Sequence, residues 1–119
     1  MVEEEKELGK VRIDNEVLAS IAGVAATSVP GVNKVITGLM GGLKKIIRKK
    51  QDVGIKVILG EGEVSFELSI AVDYGTNIPE ITYQVQKKIK EEVEKMSGLK
   101  VSNVDVIVKE VKPPKKEIK

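Results

Sequence analysis

The chain has no cysteine, no histidine and no tryptophan. Without cysteine there is no disulfide framework and no thiolate metal site, which fits a reducing compartment. Without histidine the commonest general base and the commonest metal ligand are both missing. Ser20, Ser28, Ser65, Ser69, Ser97 and Ser102 therefore have no imidazole to activate them. Aromatic residues are 3% of 119; they are Phe66, Tyr74 and Tyr83. The core thus falls to valine, isoleucine, leucine and alanine. Charge of one sign is also lacking: 20 basic residues stand against 18 acidic ones, a net charge of +2. Any pull on a polyanion must then come from a local cluster. No apolar run approaches the roughly 18 residues of a membrane span. Met1 to Lys10, MVEEEKELGK, has no apolar signal segment. No loop is dense enough in Asp and Glu for an oxygen-only cation site. The expectation is a cytoplasmic protein with no cofactor and no metal, for which any peripheral contact with the inner face of the cell membrane would rest on a local basic cluster.

What is present is a globular balance, 41% apolar and 32% charged. A chain of this length makes one domain that buries roughly two-thirds of its unfolded surface. Residues 1–8 are acidic and without period, and read as a disordered tail. Lys10 to Ile13 alternates as a short strand with Val11 and Ile13 inward. Asp14 is placed to cap a helix from about Asn15 to Ser28, with an apolar stripe of Val17, Leu18, Ile21, Val24 and Ala25. Pro30 closes it. Val32 to Ile36 reads as a second strand and Val53 to Leu59 as a third. Gly60-Glu61-Gly62 is a turn, and Glu63 to Asp73 alternates most regularly of all, so these last two strands form a hairpin. Pro79 suits the first turn of a second helix, whose stripe is Ile78, Thr82, Val85, Ile89, Val93 and Met96. Its wet face holds Gln86, Lys87, Lys90, Glu91 and Glu94, with Glu91 and Lys95 spaced to pair. Gly98 is placed at the C′ position. Leu99 to Val111 is the last strand. Residues 9–111 form the domain and 112–119 a disordered basic tail. The expected fold is α+β and two-layered. It is a mixed sheet with two helices packed on one face, in the order β-α-β-β-β-α-β.

Several pieces carry a resemblance. They are Gly9-Lys10-Val11-Arg12-Ile13 ahead of the helix VLASIAGVAATSV, then Val29-Pro30-Gly31-Val32 and Val72-Asp73-Tyr74-Gly75. Ile78-Pro79-Glu80-Ile81, Val85-Gln86, Ser97-Gly98-Leu99 and Val104-Asp105-Val106 follow. In their order and spacing, over about residues 9 to 111, they resemble the alkaline shock protein family of bacterial general and cell-envelope stress proteins. The resemblance implies a non-enzymatic protein that supports envelope homeostasis by protein–protein contact. Self-association and docking to a membrane-anchored partner would be its means. It supplies no catalytic residue. Its recurring glycines match Gly31, Gly75 and Gly98, positions set by backbone geometry.

One segment is chemically distinct. Gly31 to Lys50, GVNKVITGLMGGLKKIIRKK, carries Lys34, Lys44, Lys45, Arg48, Lys49 and Lys50 and no acid. On a helix, Leu43, Ile46 and Ile47 share one side, and Lys44, Lys45, Arg48 and Lys49 largely the other. With Lys50 these are the candidate partner or membrane contact. Three readings of the loop 38–50 stand: a solvated loop pinned by its apolar residues, a contact for a protein partner or anionic lipid, or a nucleic-acid-binding surface. Gly38-Leu39-Met40-Gly41 has the GxxG form of a KH domain. However, a strand precedes it where that domain needs a helix, and no aromatic lies nearby to stack a base. Nucleic acid is the alternative function. Two further contact candidates are the polar face of the hairpin and the edges of the sheet. Glu61 and Glu63 share one turn rather than flanking a cleft. Asp73 and Gly75 read as turn residues.

Overall fold

The computed structural model describes residues 2–6, as backbone, together with 8–36 and 54–114. Its eight elements are β1 (Val2–Lys6), β2 (Gly9–Ile13), α1 (Asn15–Thr27), β3 (Val32–Val35), β4 (Ile55–Leu59), β5 (Glu63–Asp73), α2 (Ile78–Ser97) and β6 (Lys100–Lys112). The fold is α+β, as the alternation of strand and helix patterns required.

The spine is β5, whose 11 residues exceed any neighbour on its first edge. That length lets β3 and β4, of 4 and 5 residues, share the edge end to end. Both run antiparallel to β5, β4 from Leu59↔Val64 to Ile55↔Leu68 and β3 from Val35↔Ile70 to Val32↔Val72. On the other edge β6 runs parallel, from Glu63↔Lys100 to Asp73↔Lys112, with register shifts after Val64 and after Ile70. The sheet is therefore mixed. Period-two alternation sends Val64, Phe66, Leu68, Ile70 and Val72 into the core, each at most 1% exposed. Both helices cover that face. α1 lies beside β3 and β4 and α2 along β6, and the helices pack on each other.

Three expectations change. Residues 2–6, assigned to a disordered tail, form β1, antiparallel to β2. The register sets Glu3 opposite Arg12 and Glu5 opposite Lys10 along the backbone ladder. Second, this pair is a separate two-stranded sheet, so β2 lies outside the main one. Ile13 packs on the core while Val11 stays 50% exposed.

Third, the buried face of α1 differs from the expected stripe. Leu18, Ala19, Ala22, Ala25 and Ala26 are buried, while Val17 and Val24 face out. Small residues win because α1 lies close to the sheet: a Cβ on Gly23 would stand 3.5 Å from Ile55 Cδ1. In α2 the buried row is Ile81, Val85, Ile89 and Val93, and Ile78 and Met96 are outside it. Asn77 caps α2, its side chain accepting from Glu80 N at 2.9 Å. Asp14 occupies the cap position of α1 and uses its backbone carbonyl, which accepts from Val17 N and Leu18 N. Val53, expected to begin β4, lies outside the described residues, as do 115–119 of the basic tail; Lys112 ends β6.

Candidate contact surfaces

Lys44, Lys45, Arg48, Lys49, Lys50, Leu43, Ile46 and Ile47 all lie outside the described residues, as does the GxxG. The structure places only the points where that segment departs and returns. Ile36 N donates to Ser69 O at 2.9 Å, and β4 begins at Ile55. Both points are on the same edge of β5, next to α1.

The helical layer presents a groove of about 430 Å³ between α1 and α2, lined by Ser20, Ile21, Val24, Ala25, Ser28, Lys88, Glu92 and Met96. Its origin is the choice of face in α1. The sheet takes the alanines, so the valines are left outside at the same helical spacing. Val24 is 70% and Met96 64% exposed, with Val17 half-exposed two turns earlier. α1 itself carries only one charge, Glu16. Lys88 and Glu92 on the far bank stand 4.0 Å apart, and Lys95 approaches Glu92 at 3.7 Å. The expected Glu91–Lys95 pair gives way to this one, because Lys95 turns one residue further round the helix.

The polar side of α2 does more than dissolve the helix. Glu94 accepts from Val101 N at 2.9 Å and pairs with Lys90 at 2.8 Å. Gln86 Nε2 donates to Val104 O at 3.0 Å. Two side chains read as solvent-facing thus cover the backbone of the first part of β6. The hydrogen bond from Lys90, then that from the Val101 amide, hold the Glu94 carboxyl below its ordinary value of 4.5. No sequence signal marks this clasp, since Gln86 and Val104 are distant in the chain. Past Val104 the outer edge of β6 has no strand beside it among the described residues.

The polar face of the hairpin is the side of the sheet that no helix covers among the described residues. Ser65, Glu67 and Ser69 are half-buried there, and Ala71 is fully buried. Ladder neighbours place Lys56 beside Glu67, and Ile107 beside Ser69. At the end of β5, Asp73 accepts from Asn33 Nδ2 at 3.0 Å through its carboxylate, and from Thr76 Oγ1 at 2.8 Å through its carbonyl. Gly75 has φ +94° in the turn that follows. Asp73 is thus a turn residue that also ties β3 to β5. A shallow cleft there is lined by Asn33, Asp73, Tyr74, Lys112, Pro113 and Pro114.

Among the described residues no helix is long and apolar enough to cross a membrane, and no group of three acids, histidines or cysteines could hold a metal ion.

A profile of the alkaline shock protein 23 family, described as having a cell envelope-related function, matches residues 3–113. The chain is 34% identical over 107 residues to the uncharacterized protein YloU of Bacillus subtilis, covering 87% of this chain and 89% of that one. It is 30% identical over 106 residues to a stress response regulator gls24 homolog of Streptococcus pyogenes serotype M3, covering 87% of this chain and 59% of that one. Among solved structures, a variant of the MamM CTD aligns with TM-score 0.51 at 14% identity, over 82% of this chain and 98% of that one. That likeness concerns the fold alone.

Proposed function

This chain belongs to the alkaline shock protein 23 family, whose function is cell envelope-related. From that premise we propose that it is a non-enzymatic cytoplasmic protein of the envelope stress response, acting by self-association and by docking to a membrane-associated protein. The observation that carries the docking is the groove between α1 and α2. Its α1 bank offers Ile21 and the largely exposed Val24 and no charged side chain, which suits an apolar protein surface better than headgroups or phosphates. Lys88 and Glu92 on the other bank offset each other. The serines support a reading without chemistry: Ser28 Oγ donates to Ala25 O at 2.7 Å and Ser97 Oγ to Val93 O at 2.6 Å. Both hydroxyls serve helix ends. The nucleic-acid alternative rests on the loop 38–50, outside the described residues, and no observation here favours it.

Co-sedimentation tests the proposal. The protein is mixed with native membranes, with protein-free vesicles of the same lipids and with single-stranded RNA. It is expected to follow the native membranes alone, and Val24→Glu with Met96→Glu to abolish this without unfolding the protein. Equal recovery on protein-free vesicles, or salt-steep binding to RNA, would overturn it.

A further inference from the structure

We propose that the outer edge of β6, from Asp105 to Lys109, is the surface through which two copies of this chain pair, antiparallel, about a two-fold axis at Ile107. This rests on the self-association reading above and names its site. Strand edges left unpaired are templates for another strand, and the described structure leaves this one open while tending the rest. The Val101 amide and the Val104 carbonyl, on the outer side of β6, are taken by Glu94 and Gln86. Backbone polar groups alternate along a strand, so Val106 and Val108 turn theirs to that same outer side, with no side chain of α2 hydrogen-bonded to them. The register shift that leaves Lys109 without a partner on β5, between Val108 and Glu110, ends the regular stretch at that residue. What remains between the clasp and the bulge is a short, straight edge.

The residues on that edge are complementary to themselves. With the axis at Ile107, Val106 of one copy exchanges hydrogen bonds with Val108 of the other, twice. Asp105 faces Lys109, again twice. Ile107, which is 40% exposed, meets its own copy on the open face. Val106 and Val108, partly buried against the core, would be covered on the helix face. Within one chain Asp105 accepts a hydrogen bond only from Asn103 among the described contacts, at 2.9 Å. Moving the axis two residues either way sets Asp105 on Asp105 or Lys109 on Lys109, and moving it one sets Asp105 or Lys109 on Ile107. Opposite charges select this register, like charges oppose the shifts by two, and the shifts by one leave a charge against Ile107. A partner carrying one sign of charge would satisfy only one of the two residues, whereas a second copy satisfies both. An axis normal to the sheet also keeps both helix layers on one side. It brings the two α2 helices side by side, where Tyr83 lines the groove above β6 and is 55% exposed.

The test uses the full chain in sedimentation equilibrium. Asp105→Lys alone and Lys109→Asp alone should each weaken the dimer by on the order of tenfold, since two pairs turn repulsive in each. The double variant should restore it. An equimolar mixture of the two single variants should pair as well as the wild type, because both contacts of the mixed dimer join Lys to Asp, whereas each variant alone sets like charges together. Separately, the chain has no cysteine, so Ile107→Cys introduces the only thiol. Opposed residues at a non-hydrogen-bonded site lie about 4.5 Å apart at Cα, within disulfide reach. It should cross-link on mild oxidation, while Lys56→Cys, on the opposite edge of the sheet, should not. A wild-type oligomer that ignores the charge changes and does not cross-link at Ile107 overturns this edge while self-association stands. A wild type that is monomeric at every concentration overturns both.

Discussion

At the scale of single residues, Gly31 is the most constrained of the described glycines. It has φ +101°, and an added Cβ would run into Ile81 Cδ1 and stand 3.2 Å from Thr76 Cγ2. Its carbonyl accepts from Asp73 N at 2.9 Å, so the backbone cannot move away freely. Gly31→Ala combines a left-handed backbone with an overfilled core. It is expected to destabilise the protein by about 2–4 kcal/mol, read as a shift in the urea midpoint. Gly60→Ala, whose Cβ meets nothing within 4 Å, should stay within about 0.5 kcal/mol. The glycines at 31, 75 and 98 were legible as geometric positions, and all three have positive φ. A turn signature is local, so it survives without knowledge of the fold. That Ile81 is what blocks a side chain at 31 was not legible, because nothing near Gly31 in sequence specifies it.

At the scale of elements, the sequence announced both helices but misplaced part of the face of each. α1 is apolar or small almost all round, so its period does not distinguish the side the sheet will take. Packing decides in favour of Leu18 and the alanines, and Val17 and Val24 are left as the outer surface. In α2 the surprise is polar: Gln86 and Glu94 belong to the edge of β6 as much as to the helix. The depressed pKa of Glu94 has a consequence in acid. The folded state binds fewer protons there than the unfolded chain, so Glu94 adds stability that is complete above its ordinary value of 4.5. That contribution is lost as pH falls through the lower value it has when folded. Glu94→Gln should therefore reduce stability at neutral pH and flatten the decline below pH 4.5. Urea titrations at a series of pH values check this, and an unchanged acid limb would show that the pair with Lys90 carries no linkage. The basic segment was the most visible element in the sequence, with Lys44, Lys45, Arg48, Lys49 and Lys50 in a single run, yet it falls outside the described residues. The surfaces that the structure does describe came from elements that looked ordinary.

At the scale of the whole molecule, β1 and β2 form a sheet of their own, joined to the core through Ile13. A two-stranded ribbon is marginal alone, so its contribution to the main fold should be small. Removing residues 1–8, which keeps Ile13, is expected to lower stability by less than about 1 kcal/mol. Loss of the cooperative thermal transition would instead make the ribbon part of the core. The α+β class, the two helices, the strand of Glu63 to Asp73 and the turns at Gly62 and Gly98 followed from the sequence alone. They depend on side-chain period and on backbone preferences within a few residues. Only the tertiary structure decided that β3 and β4 share one edge of β5, that β6 runs parallel on the other, that the valines of α1 face outward and that one stretch of β6 is left open among the described residues. Each of these rests on contacts between residues far apart in the chain. Such contacts are settled by the length of β5 and by how closely each helix can approach the sheet.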